Sequence, residues 1–291
     1  MNFITALING LSAGGTYAII ALGYTMVYGI AKMLNFAHGD IIMVGGYAMY
    51  LTLLAAGHPI LALIAAIVCC VVLGVLVERF AYKPLRGASP LAVLITAIGV
   101  SFLLQSVAQI AFGTSPKMLS ALKINGFISV GTLKIDYSTL VTLAVTVLVM
   151  VGLTAFVKYS KTGRAMVAVS EDRDAALLMG INTNAIIAVT FAIGSALAAV
   201  AGYLMLMKAP SLSGTLGAMP GIKAFTAAVI GGIGSIPGAM LGGILLGVVE
   251  SISLSIPALA PYTDAVEFAI LIVILLVKPA GLLGKMRREK V

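Results

Sequence analysis

Tryptophan is absent from this chain of 291 residues, and cysteine and histidine occur twice each. Cys69 and Cys70 are adjacent inside an apolar run, so they define neither a disulfide framework nor a metal-ligand spacing, and a structural role fits both. His38 and His58 stand too far apart to suggest a zinc site. Charge is equally scarce: Asp, Glu, Lys and Arg make up 10% of the chain, against about 25% in soluble domains. No G-x-x-x-x-G-K-[ST] run occurs, which excludes ATP binding through a P-loop. The densest glycine cluster, Gly231-Gly232-Ile233-Gly234-Ser235-Ile236-Pro237-Gly238, departs from the dinucleotide pattern because Pro237 takes the place of its last glycine. No nucleophile–base pair supports an intramembrane enzyme. The N-terminal stretch has neither the basic region nor the small-residue site expected of a cleavable signal peptide.

What the chain has is hydrocarbon. Hydrophobic residues make up 61% of it and the mean hydropathy is +1.14. Apolar runs cover Ile4–Tyr28, Ala37–Ala56, Ile60–Val77, Leu91–Phe112, Leu140–Val157, Ala185–Met207 and, with its flanks, Val266–Val277. Helices of about 20 residues cross about 30 Å of hydrocarbon at 1.5 Å per residue. The Gly-rich stretch Ile222–Ile256 has room for two crossings, or for one crossing and a broken half-helix. The expected fold is therefore all-α: a polytopic transmembrane helical protein of eight to nine spans, forming a single domain over residues 1–291.

Basic residues stay preferentially on the cytoplasmic side. One set of loops carries Lys32, Arg79, Lys83, Arg86, Lys158, Lys161, Arg164, Arg173, Lys278, Lys285, Arg287, Arg288 and Lys290; the other carries only Lys117, Lys123, Lys134, Lys208 and Lys223. The richer set marks the cytoplasm. It places the 158–183 loop and the 283–291 tail inside, the 113–137 loop and the N-terminus outside. These positions require an odd number of crossings and favour nine. The net charge of +8 is a topology signal, with no call for nucleic acid.

The polar insert Thr162–Asn182 interrupts the apolar chain with Arg164, Glu171, Asp172, Arg173 and Asp174. Ser170 is the expected N-cap of a short helix Glu171–Met179, with Glu171 and Asp172 in its first turn and Gly180 at the left-handed C′ position. Such caps contribute roughly 1 kcal/mol each, and acids at the first turn suit the helix dipole. So short a helix is unstable alone and needs packing. Ala175, Leu178 and Met179 would form its apolar stripe, with Arg173 and Asp174 exposed. An apolar stripe with a charged rim suits docking into a groove of a soluble partner; a solvated connector is the simpler alternative.

Several stretches resemble one family. Asp174-Ala175-Ala176-Leu177-Leu178-Met179-Gly180 is similar to the E-A-A-x-x-x-G loop of ABC importer permeases, with Asp in place of Glu. Leu34-Asn35-Phe36-Ala37-His38-Gly39-Asp40 resembles the N-F-A-H-G-[DE] signature of the branched-chain amino acid permeases, as do the preceding Gly23–Tyr28 and Gly29-Ile30. Gly163-Arg164-Ala165 and the stretch Lys223–Ala239 are similar to that family as well. Over residues 5 to 285 the chain thus resembles the LivH-type permease subunits of high-affinity branched-chain amino acid ABC importers.

The resemblance implies a second, related permease subunit, two cytoplasmic ATPases and an extracytoplasmic solute-binding protein. ATP and Mg would be bound by the ATPases, with no cofactor, metal or catalytic residue on this inner-membrane chain. It also implies that the insert is a coupling helix in an ATPase groove, with Gly163, Arg164, Glu171, Asp172, Arg173, Asp174, Ala175, Ala176 and Gly180 as its candidate residues. Recognition of leucine, isoleucine or valine would belong largely to the binding protein, and related permeases carry urea or amides.

Ionisable groups within a membrane are costly and usually face a cavity or the protein interior. Asn35, a candidate N-cap, His38 and Asp40 either build a helix start or line the translocation path or gate; His38 and Asp40, two apart, share no face. Ser101 and Gln105 lie four apart on one face, as path lining or as an interhelical hydrogen-bonding seam. Glu250, in an apolar run, is either protonated or paired with a donor such as Lys223 or Arg79. Gly10, Gly14, Gly234, Gly238, Gly242, Gly243 and Gly247 are candidates for close helix packing. A proton-coupled secondary transporter would rest on Asp40 and Glu250, but no inverted repeat supports it.

Overall fold

A computed structural model of the chain describes residues 3–130 and 133–284; the basic tail residues Lys285, Arg287, Arg288 and Lys290 lie outside the described residues. The helices are α1 (Phe3–Ala31), α2 (His38–Ala56), α3 (Pro59–Val77), α4 (Pro90–Phe112), α5 (Tyr137–Tyr159), α6 (Lys161–Glu171), α7 (Arg173–Leu178), α8 (Thr183–Lys208), α9 (Ala218–Gly231), α10 (Ile236–Ser255) and α11 (Thr263–Val277). Among the described residues eight segments are long and apolar enough to cross a membrane: α1, α2, α3 with its extension to Leu85, α4, α5, α8, α10, and α11 extended back to Ala260. The protein is a polytopic helical membrane protein.

The ninth crossing expected in the Gly-rich stretch is not a full helix. Helix α9 has 14 residues, about 21 Å at 1.5 Å per residue, too short for the hydrocarbon. The preceding chain passes from a two-residue strand into a run of turns: Leu212 lies at Gly46 of α2, Gly214 at Gln109 of α4, and Gly217 at Gly39. Helix α9 starts beside Gly39 and ends at a turn, 232–235, near Gly29 of α1. Such irregular backbone is tolerated at depth where protein surrounds it, and Gly217 and Gly39 allow the two chains to touch without side chains between them.

Helix α2 also starts inside the layer. His38 packs on Gly23 of α1, eight residues or about 12 Å before the end of that helix. Ala37 occupies its N-cap position without a side-chain hydrogen bond, so Asn35 is not the cap. A residue three before the first helical position cannot reach the first-turn N–H groups, and Asn35 instead accepts from Tyr82 Oη at 2.9 Å.

The centre of the layer is the contact of α1 with α10. A Cβ on Gly14 would sit 2.7 Å from the Cα of Ile244, and one on Gly10 2.8 Å from the Cα of Val248. Gly243 faces Ala18, and Gly247 faces Gly14. In lipid, where apolar burial drives little association, such backbone approach supplies the packing. Gly238 and Gly242 serve the α9–α10 hairpin, lying against Gly231 and Ala227; Gly234 sits in the turn, near Gly29. Around this centre α8, α2 and α3 complete a buried core that includes Ile19, Ile20, Ile41, Met43, Leu204 and Leu246, while α4, α5 and α11 expose most of their surface.

On the face where α1 begins, two short antiparallel pairs occur. Strand β1 (Lys117–Met118) pairs with β4 (Ser211–Leu212), and β2 (Phe127–Val130) pairs with β3 (Leu133–Asp136). The opposite face carries α6 and α7, the ends of α1 and α3, and the 232–235 turn. There Leu282 N–H donates to Ile230 O and Leu283 N–H to Gly231 O, so the two ends of the described chain lie on opposite faces.

Candidate functional site

The insert is two helices, where the sequence suggests one. Ser160 ends α5 and caps α6, its Oγ accepting from Gly163 N–H at 2.8 Å. Gly163 lets α6 fold back on α5, since a Cβ there would enter the Phe156–Val157 backbone. Gly163, Met166 and Val169 form the buried face of α6, at helical spacing. That period carries the helix past Ser170, whose Oγ donates to Val167 O at 2.7 Å inside α6. Ser170 is therefore not the N-cap, and Glu171 belongs to the last turn of α6. Arg164 is exposed near the start of α6 and donates to Tyr159 O at 3.4 Å.

The cap of α7 is Asp172. It adopts φ −151° and ψ 113°, and its Oδ1 accepts from Asp174 N–H and Ala175 N–H, both at 2.9 Å. A carboxylate at this position satisfies two orphan donors with charge-assisted bonds. At the other end Gly180 takes φ 81°. Gly180 N–H donates to Leu177 O and Ile181 N–H to Ala176 O, each at 3.0 Å, the paired closure of a Schellman motif. The stripe is rotated from the expected one. Ala176 faces inward while Ala175 is exposed with Arg173 and Asp174, and Leu177, Leu178 and Met179 project at 60, 88 and 82% exposure.

The six polar residues singled out in the membrane segments separate into distinct sites. Gln105 Nε2 donates to Asp40 Oδ1 at 2.9 Å and to Ser101 Oγ at 3.2 Å, joining α2 to α4. Asn35 is held at Tyr82 in the π-helical turn Glu78–Tyr82. The His38 ring meets Tyr24 edge-on, with centroids 4.8 Å apart, and its Nε2 has no hydrogen-bond partner among the described residues.

Glu250 lies elsewhere, with Lys223 as its cation. Lys223 Nζ is 2.7 Å from Glu250 Oε1, 2.8 Å from Asp264 Oδ1 and 3.3 Å from Glu267 Oε1. Tyr17 Oη donates to Glu250 Oε1 at 3.1 Å. Lys223 lies in no loop: it is buried in α9, because three carboxylates there surround its ammonium. Asp264 and Glu267, three apart on an otherwise apolar helix, were the overlooked signal of that site.

A cavity of about 660 Å³ opens on the insert face. Gly29 and Lys32 from the end of α1, Met166 and Ser170 from α6, and Gly234 and Pro237 from the α9–α10 turn line it. It separates α6 from the turn that ends the short helix. No cluster of His, Cys, Asp and Glu suited to hold a metal ion occurs among the described residues.

Residues 6–275 match the family model described as the permease component of branched-chain amino acid transport systems. The chain belongs to this permease family. The permease is 46% identical to the high-affinity branched-chain amino acid transport system permease protein BraD of Pseudomonas aeruginosa, an alignment covering 100% of this chain and 98% of the relative. It is 44% identical to LivH of Escherichia coli K12, named for the same transport system, over 99% of this chain and 98% of that one. An archaeal relative, the probable permease LivH of Methanocaldococcus jannaschii, is 30% identical over 91% of the permease and 88% of its own length.

Proposed function

We propose that the permease is a membrane-spanning subunit of an ATP-driven ABC importer that moves leucine, isoleucine and valine delivered by an extracytoplasmic binding protein. The observation that carries this reading is full-length similarity to permeases named for branched-chain amino acid transport. In the importer a second related permease completes the pathway, and two ATPase subunits bind ATP and Mg. The permease itself hydrolyses nothing and carries no cofactor. Its insert face is cytoplasmic, since Arg79, Lys83, Lys158, Lys161 and Arg164 gather there, and the start of α1 is outside.

Helix α7 is the coupling helix. Its six residues are too few to persist unaided, so the Asp172 cap and the Gly180 closure hold it in one conformation. The Leu177–Met179 tip enters an apolar groove of the ATPase, and Arg173 and Asp174 rim the contact. Helix α6 transmits the resulting displacement, and the cavity between it and the 232–235 turn gives it room to shift. Asp40, Ser101 and Gln105 form the polar seam along the translocation path, and Asn35 and His38 hold its gate at the start of α2. Glu250 steadies the outer end of α9 through Lys223.

The test is uptake of labelled leucine by proteoliposomes holding the full complex. Uptake needs internal ATP and survives a protonophore; uptake driven by a proton gradient without ATP would overturn the assignment. Leu178→Asp and Asp174→Lys leave the permease in the membrane but break the link between hydrolysis and uptake. Undiminished ATP-driven uptake in both variants would remove α7 from the coupling role.

A further inference from the structure

A groove between the end of α3 and the start of α8 lies apart from the insert tip and from the polar seams. It encloses about 360 Å³ and is lined by Val75, Glu78, Arg79, Lys83, Asn182, Asn184, Ala185 and Ala188. Its one acidic wall residue is already neutralised: Glu78 is ion-paired with Arg86, and both side chains are buried. The same Arg86 guanidinium donates to Asn184 Oδ1. Arg79 and Lys83 are exposed and have no ion-pair partner among the described residues. The groove therefore presents two uncompensated cations.

The other wall presents donors. Asn182 Oδ1 accepts from Ala185 N–H at 3.1 Å, and Asn184 Oδ1 accepts from Arg86, so both amides have their oxygens committed and their NH2 groups left to donate. The first turn of α8 adds the positive end of a 26-residue helix. Cations, amide donors and a helix N-terminus around one space fit a phosphate group. Two further features select its source. Val75 and Ala188 give the groove an apolar floor, and beside it α3 and its extension expose Val72, Leu76 and Phe80 at 53, 44 and 73%, a surface for acyl chains.

We infer that the groove between α3 and α8 binds the phosphodiester headgroup of an anionic phospholipid. Arg79 and Lys83 answer its charge, Asn182 and Asn184 bond its oxygens, and the acyl chains lie along α3. The site depends neither on the transported solute nor on the coupling role of α7. Because Asn182 caps α8 immediately after the insert, the headgroup sits at the root of the helix that follows α7.

The experiment uses the full chain in nanodiscs of mixed phosphatidylglycerol and phosphatidylcholine, with native mass spectrometry to count retained lipid. Wild type retains phosphatidylglycerol over phosphatidylcholine. The double variant Arg79→Gln/Lys83→Gln loses roughly thirtyfold in that preference. Lys158→Gln/Lys161→Gln, which removes the same charge elsewhere on the face, retains it. Elution volume and thermal stability show that the variants are folded. Equal phosphatidylglycerol retention by wild type and Arg79→Gln/Lys83→Gln overturns the inference. So does displacement of the lipid by millimolar inorganic phosphate with no acyl-chain dependence, which would assign the groove to a free anion.

Discussion

Lys223 of α9 and Glu250 of α10 meet at 2.7 Å inside the helix layer. With Asp264 and Glu267 drawn to the same ammonium, one lysine ties the short helix to both helices that follow it. Glu267 is fully buried, so water cannot replace the lysine. Lys223→Met leaves the carboxylates together without a cation, and removing one partner of a buried pair costs about 3–5 kcal/mol. Thermal unfolding of the detergent-solubilised protein reads this as a large fall in midpoint, with Lys223→Arg much closer to wild type. A Lys223→Met protein as stable as wild type would show that the cluster does not hold α9.

The α1–α10 contact has no room for a side chain. Gly14→Leu forces the Ile244 backbone away and costs about 1–3 kcal/mol. Gly152→Ala, where nothing lies within 4 Å of the added carbon, is neutral or slightly stabilising, as helix propensity dictates. Membrane expression and unfolding midpoint of the two variants separate the cases; equal behaviour would contradict the close approach.

Asp172→Ala removes the acceptor for two first-turn donors of α7 and costs about 1 kcal/mol of local helix stability, while Asp172→Asn keeps a capping oxygen. Leucine uptake falls in the first and is largely retained in the second. The global unfolding midpoint hardly moves in either, because α7 packs lightly. A fall in uptake of equal size in both would point to the charge of Asp172 in place of its cap.

Gln105→Leu takes from Asp40 a donor within the layer, a loss of about 1–3 kcal/mol for a buried acceptor left unmatched. Gln105→Glu sets a second carboxyl beside the first and makes the complex sensitive to pH, weaker as the pair ionises. Stability measured across pH distinguishes the two variants. An unchanged midpoint for Gln105→Leu would place Asp40 in contact with water or a partner subunit.

The legible parts of this protein were those with a local cause. Apolar runs long enough for lipid gave the full-length helices, and Gly180 followed its spacing to the left-handed position at the end of α7. The short insert helix was displaced because two residues compete for its start. Ser170 satisfies the rule for a cap, but the buried period Gly163, Met166, Val169 extends α6 through it and passes the role to Asp172. The Gly-rich stretch admitted two readings from hydropathy; in the structure it holds a helix of 14 residues followed by one of 20.

The sequence by itself determined that the chain lives in lipid and which family it resembles, since each follows from composition or from contiguous residues. Only the tertiary structure decided which polar and charged groups meet. Asp40 and Gln105 are 65 positions apart, and Lys223 and Glu267 are 44. A buried charge takes whatever partner helix packing brings within reach, and packing depends on the shapes of all the helices together.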